Sequence, residues 1–501
     1  MNIIPLANVA VLAIVAFKDA DKIKSWDAWN DHKAETAIAE IQDKRECVTW
    51  KVLNKFNPGL KELGRLARRE SKDINGSKWS VGCETMDRDY AEWNGYKALL
   101  PGLGVKRARF FSGWAKTEQE KGVYDFAWLD SHVRECAAMG IKPWICISYG
   151  NPVWGSDFRL GMRVKQVTGS SESLAAWIRY TKALVERYKD VVDEWEIWNE
   201  PFDQAQEYAE MFYETAKAVR EVQPTATCIC TAISMNRDMS KSDYAVVLEK
   251  LKRENALDLA SYFAYHPYAN NPDTSYEAGE GQFGWQMAMP LRRFVKSYDK
   301  NFDIVQGEVG CPSQLEYAHA LAGVEWTEYS QAKWLLRRAI GDAVRSIPSN
   351  IFTMIDLKYT FMLQSFGLVR SNLLKEFVYR RPSYYAMAHV FNLLDDDAKP
   401  LSVEMRKCGL REITRARFAR FGHELEFFWF SDAEPSSDIV FESIDLENLF
   451  GLSYETDGRA SESVWTDMIT GRVFELPDTK HVPLWDSPVM VSRRSAVPFA
   501  K

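Results

Sequence analysis

The chain is poor in the residues on which most metal and redox chemistry rests. Seven histidines in 501 residues leave little for a multi-histidine centre. The eight cysteines, at 47, 83, 136, 146, 228, 230, 311 and 408, form no CxxC pair and no Cys/His group at metal-ligand spacing. No metal and no organic cofactor is expected, and most of the cysteines read as free, buried and structural. Positive charge is not in excess either: 63 Lys and Arg against 70 Asp and Glu give a net charge of -7. Such a balance offers no attraction to phosphate backbones or anionic lipid, so nucleic acid and membrane surfaces are not expected partners. The apolar run at residues 3–17 is too short to span a bilayer. It is broken by Pro5 and Asn8, has no lysine or arginine before it, and has no small-residue cleavage site after it. It reads as a strand of an accessory domain, which slightly favours a cytoplasmic protein over a secreted one whose leader is absent.

What is abundant is aromatic surface: 18 Trp, 21 Tyr and 26 Phe. Sugar rings present apolar C–H faces that stack on such side chains, although aromatics also fill cores. Hydrophobic content of 46% and charged content of 27% are those of an ordinary globular protein. Residues 1–77 form a lead-in, with strand-like stretches at 3–17 and 47–53 and a helix-prone stretch at 26–41, ending in the turn Asp73-Ile74-Asn75-Gly76-Ser77. From residue 78 to 394, short strand candidates alternate with one-faced helices. The strands fall at 79–84, 106–111, 142–148, 194–199, 227–233, 261–266, 303–308 and 351–357. Helices over 174–188 and 208–222 keep their apolar residues at i, i+3, i+4 and i+7. Eight such units in succession predict a parallel (β/α)8 barrel. A doubly wound sheet would want a glycine-rich turn after its first strand, and none follows Cys83 or Phe111. Residues 395–501 read as an all-β accessory domain with strands at 413–421, 424–430, 439–444, 464–474 and 488–491, joined by N-terminal strands.

The stretch that organises the barrel is Glu194-Trp195-Glu196-Ile197-Trp198-Asn199-Glu200-Pro201. Pro201 cannot donate to a ladder and ends the strand, which puts Glu200 at its carboxyl end. A carboxyl group flanked by two tryptophans and an amide is a setting in which an acid catalyst keeps its proton. Strand seven ends in Gln306-Gly307-Glu308-Val309-Gly310, which delivers a second carboxylate to the same rim. Glycines on either side of Glu308 would let a substrate approach closely. Active sites of such barrels lie at this rim, and two carboxylates there are the pair that glycoside hydrolysis requires.

The Trp198-Asn199-Glu200-Pro201 corner and the glutamate after strand seven resemble those of clan A glycoside hydrolases. The likeness is nearest to family 39-like members, β-xylosidases among them. Gly122-Val123-Tyr124-Asp125-Phe126, Ser148-Tyr149-Gly150-Asn151-Pro152 and Tyr265-His266-Pro267-Tyr268 add to the resemblance, which spans most of residues 78–394. It implies a retaining glycosidase acting on an oligo- or polysaccharide, with Glu200 as acid/base and Glu308 as nucleophile. It further implies that Asn199 bonds the sugar 2-hydroxyl, that Arg109 supports the pair, and that His266 or Tyr268 holds the nucleophile. Asn151 is carried over as a substrate-binding residue, and Trp114, Trp154 and Trp285 are candidate sugar platforms. At the end of strand eight, where many relatives carry a tryptophan, Asp356 and Lys358 offer a rim ion pair or a contact to a polar or acidic sugar. The competing functional class is a non-catalytic carbohydrate-binding protein on the same barrel, a reading that the presence of both carboxylates disfavours. A metal-dependent barrel enzyme would need several His and Asp ligands at strand ends, where only His266 stands.

Overall fold

Short apolar strands flanked by one-faced helices bury both sheet faces when the sheet closes on itself, and this chain takes that solution. The computed structural model describes residues 47–155, 163–201, 204–231, 235–236, 238–277, 287–359, 362–452 and 462–500. Eight parallel strands form a closed barrel: β1 (Trp79–Gly82), β2 (Arg107–Phe111), β3 (Lys142–Ile147), β4 (Glu194–Ile197), β5 (Thr227–Cys230), β6 (Tyr262–Tyr265), β7 (Asp303–Val309) and β8 (Ser349–Ile351). They pair in chain order, and β8 pairs back with β1. Helices Ser171–Tyr188 and Ala205–Val222 lay their apolar faces on the strands, burying Trp177, Tyr180, Leu184 and Tyr188 from the first and Tyr208, Met211, Phe212 and Val219 from the second. Ser170 caps the first of these, its side chain accepting from the Ser173 N–H.

The eighth strand differs from expectation. It ends at Ile351, and residues 352–357 stay buried while leaving the barrel ladder. Asp356 is therefore neither half of a rim pair nor a sugar contact. It is buried and grips the equally buried Arg381 through both oxygens at 2.7 and 2.8 Å, while accepting from the Gly367 and Ser371 N–H groups.

Residues beyond the barrel build a seven-stranded antiparallel sheet. Its order is Glu62–Arg65, Arg472–Glu475, Ser463–Asp467, Val489–Arg493, His423–Phe430, Arg411–Arg420 and Lys399–Cys408. An N-terminal strand does join it, but through Glu62–Arg65. The stretch 47–53, expected as a strand, forms instead the helix Val48–Leu53 capped by Cys47. The strand expected over 464–474 is a hairpin that turns at Thr470 and Gly471, the glycine taking φ 70°. The expected strand at 3–17 and helix at 26–41 lie outside the described residues.

The sheet packs on helix Glu328–Val344, which is buried on nearly every side. Two of its cations reach into the sheet region. Lys333 Nζ lies 2.6 Å from Asp486, and Arg337 donates to the Ser431 and Ala433 carbonyls and to Asp273. The same region ties down the segment after β6: Asn271 donates to the Ser431 carbonyl at 3.0 Å, and Trp429 Nε1 donates to Asp273 at 3.1 Å. The β-sheet thus braces the segment that begins with His266 and Tyr268.

Removing one partner of the buried Asp356–Arg381 pair strands the other charge. Asp356→Ala is expected to lower unfolding free energy by about 3–5 kcal/mol in urea titration. A loss below about 1 kcal/mol would mean that Arg381 finds another partner.

Candidate active site

Arg109, in the middle of β2, points into the barrel and is fully buried against Phe111 and Trp144. An unpaired guanidinium there would be very costly, and the barrel answers with four acceptor side chains from three of its strands, β1, β4 and β7. Arg109 Nε and Nη2 form a fork on Glu196 of β4 at 2.7 and 3.1 Å. Nη2 also donates to Asn199 Oδ1 at 2.8 Å. Nη1 donates to Glu308 Oε2 of β7 at 2.9 Å and to Glu84, just past β1, at 3.1 Å. Arg107, the alternative on the same strand, pairs instead with Glu194 at 2.5 Å.

Glu308 receives a second hydrogen bond from the Tyr268 hydroxyl, 2.9 Å from Oε1, so both of its oxygens are directed. Glu200 stands on the corner after β4, where Trp198 (φ 69°) and Glu200 (φ 49°) both take left-handed backbone. For a tryptophan and a glutamate this costs of order 1–3 kcal/mol each, and such strain persists only where the surroundings impose it. Here they do: Trp198 is fully buried, with its ring edge-on to Tyr149 and Trp177 at 5.4 and 5.7 Å. The corner turns Glu200 toward His266, whose Nδ1 is 2.8 Å from Oε1. One oxygen of Glu200, one of Glu308 and a ring nitrogen of His266 all lie within 4.8 Å of one another. Glu200 is the more open of the two acids, its side chain 26% exposed against 12% for Glu308.

The surroundings set the charges. Burial alone would push the His266 pKa down, but the hydrogen bond to Glu200 and the charges of Glu308 and Glu200 outweigh it, and the net shift is upward. Burial raises the Tyr268 hydroxyl well above its usual range, with Glu308 and Glu200 adding to the effect, so it stays a donor. Glu84 is raised to about 7, chiefly by burial, against the pull of Arg109 and with a push from Glu308. Two carboxylates and an imidazole in this space also suggest a metal set. Both Glu308 oxygens are already hydrogen-bonded, however, and a guanidinium stands 2.9 Å from one of them, which disfavours a second cation there.

The structure brings Arg109, Asn199, Glu200, His266, Tyr268 and Glu308 together. His266 and Tyr268 divide their work, one on Glu200 and the other on Glu308. Asn199 accepts from Arg109 and donates to the Tyr149 hydroxyl at 2.8 Å. Other candidates are placed elsewhere. Trp114 is no platform: it is fully buried against Trp177 and Tyr180, its Nε1 on Glu118. Asn151 is buried too, and its amide is spent on the Trp114 and Glu118 carbonyls and the Val153 N–H, so it shapes the loop and has no contact to offer a sugar. Trp154 carries Lys121 at 4.2 Å and Arg179 at 5.4 Å from its ring centre and bonds Glu118. Trp285 lies outside the described residues. The glycines beside Glu308 serve packing rather than substrate approach. A Cβ on Gly307 would meet Ala264 and His266 at 3.0 and 3.1 Å, and one on Gly310 would overlap the Phe352 carbonyl.

Five further residues complete the network: Glu84, Glu196, Tyr149, Thr231, which donates to Glu196 at 2.8 Å, and Asn350, which donates to Glu84 and to the Gly307 carbonyl. Glu196 is an acid inside a strand buried along its whole length, and the partner that accounts for it, Arg109, meets it only across the closed barrel.

No protein-family model matches the sequence, and no curated protein does. Solved structures do. The chain is similar to a family 39 glycoside hydrolase from the gut symbiont Bacteroides cellulosilyticus WH2, at TM-score 0.62 and 18% identity over 83% of this chain and 80% of that one. It is similar to a GH30 endoxylanase from Clostridium papyrosolvens C71, at TM-score 0.50 and 11% identity over 87% and 98%. A glucosidase from Croceicoccus marinus aligns at TM-score 0.50 and 11% identity over 85% and 97%. At these identities the shared property is the fold: a (β/α)8 barrel with an attached antiparallel sheet.

A raised His266 makes stability depend on pH. The folded state holds this proton more tightly than the unfolded chain does. The stabilisation is therefore complete below the unfolded value of about 6.5 and is lost as pH rises through the higher folded value. The difference in urea midpoint between wild type and His266→Gln is expected to shrink from about pH 6 to about pH 9. A difference independent of pH would contradict the assignment.

Proposed function

We propose that this chain is a retaining glycoside hydrolase of the clan A kind, cleaving O-glycosidic bonds in an oligo- or polysaccharide. The observation that carries the reading is the approach of Glu200 and Glu308, delivered by β4 and β7, to within 4.8 Å between carboxylate oxygens. Retention needs carboxyl groups about 5–5.5 Å apart, whereas inversion leaves room for a water at about 6.5–9.5 Å. The shared fold with a family 39 glycoside hydrolase adds support.

In this mechanism Glu308 attacks the anomeric carbon while Glu200 delivers its proton to the departing oxygen. A covalent glycosyl ester on Glu308 results. Glu200, now a carboxylate, takes a proton from water, which attacks the anomeric carbon from the vacated side and frees Glu308 with the configuration kept. Arg109 and Tyr268 fix the two Glu308 oxygens in place, so little reorganisation is needed as one of them becomes the nucleophile. His266 orients the Glu200 carboxyl and, as an imidazolium, favours its charged form after proton transfer. Asn199 has one amide hydrogen uncommitted among the described residues, and it is the donor assigned to the sugar 2-hydroxyl.

The test is sugar release from a panel of aryl glycosides and polysaccharides by wild type, Glu308→Gln and Glu200→Gln. The first product of the wild type is expected to keep the anomeric configuration of the substrate by NMR. Glu308→Gln is expected to lose at least about 1,000-fold in kcat, or about 4 kcal/mol of barrier. Glu200→Gln should lose most on substrates with poor leaving groups. An inverted first product, or unchanged turnover in Glu308→Gln, would overturn the reading.

A further inference from the structure

Among the described residues, Arg109 is the one cation in contact with three buried carboxyl groups, Glu84, Glu196 and Glu308. Were all three ionised, a net charge of two would be left in a dry barrel core, an arrangement that proton uptake relieves at far lower cost than burial tolerates. The three are not equivalent. Glu196 has its own fork on Arg109 and a hydroxyl from Thr231. Glu308 has Arg109 on one oxygen and Tyr268 on the other. Glu84 receives Arg109 and Asn350 on Oε1 alone, while its buried Oε2 has no partner. The backbone makes room for that bare oxygen, since a Cβ on Gly82 would fall 2.1 Å from it. A carboxyl group with two donors on one oxygen and none on the other has the bonding pattern of a protonated acid.

We propose, building on the glycosidase reading, that Glu84 is a positioning residue for Glu308: it shares Arg109 Nη1 as a neutral acid and so leaves the guanidinium charge to the nucleophile. When Glu84 ionises, it competes for Nη1 and loosens Glu308. The other titratable groups near Glu84 are Cys83, Tyr96, Tyr268 and Tyr359, and burial raises all of them, so they stay neutral around neutral pH. Glu196 and Glu308 are the other carboxyl groups on Arg109, and the charge of Glu308 adds to the upward push of burial on Glu84. Glu84 follows β1, a strand to which the glycosidase resemblance assigned no residue.

The test is an infrared pH titration of the carboxylic acid C=O stretch in wild type, Glu84→Gln and Glu308→Gln, none of which need turn over. Wild type is expected to show a buried acid band that persists to about pH 7 and is missing in Glu84→Gln. In Glu308→Gln the same band should titrate at least about one pH unit lower, because the repelling charge is gone. That comparison holds even where Glu84→Gln fails to fold. In the pH profile of kcat/KM, Glu84→Gln should decline less steeply on the alkaline side than wild type. A wild type without the band, a band unchanged in Glu308→Gln, or superimposable kinetic profiles would overturn the proposal. Because the titration reads Glu84 without substrate, a failure of the glycosidase reading and a failure of this one are seen separately.

Discussion

A single buried guanidinium constrains this site. Arg109 cannot lose its charge and cannot reach water, so the strand ends around it must supply acceptors in a fixed arrangement. Glu84, Glu196, Asn199 and Glu308 do so from β1, β4 and β7. With β2 itself, four segments distant in sequence are held to one point, and one of them carries the nucleophile candidate. Rigidity of this kind is what a catalytic carboxylate needs, because attack on an anomeric carbon tolerates little positional error.

Glu200 is held differently. Its corner depends on backbone strain at Trp198 and Glu200, which the packing of Trp198 on Tyr149 and Trp177 sustains. Its carboxyl group meets only His266 and solvent among the described residues, which suits a group that must exchange a proton with a leaving group and then with water. The two acids thus differ in their surroundings: one is clamped by a cation and a phenol, and the other is open and paired with an imidazole. The β-sheet takes part indirectly, since Asn271 and Asp273 tether to it the segment that carries His266 and Tyr268.

The barrel was legible because its strands are buried on both faces and read as near-continuous apolar runs between amphipathic helices. The same signal misled at β8, where residues 352–357 stay buried after they leave the ladder: hydrophobicity reports burial, not pairing. The edge strand Lys399–Cys408 escaped notice because it pairs on one side only and carries mostly half-exposed or exposed residues. Glu200 and Glu308 stood out through their local context at strand ends. Glu84 and Glu196 did not, since what distinguishes them is a partner 25 and 87 residues away that only barrel closure brings near. Trp114 shows the limit for aromatics, because nothing in its neighbourhood separates a core ring from a sugar platform.

The most direct measurement is covalent trapping. A 2-deoxy-2-fluoro glycoside of a sugar released in the substrate panel would slow the second step of a double displacement and let the ester accumulate. Peptide mass spectrometry then reads where the sugar sits. A double displacement through Glu308 requires one label per chain, on that residue, with loss of activity in step with labelling. A label on any other residue, or a substrate turned over with no ester formed, would contradict the account.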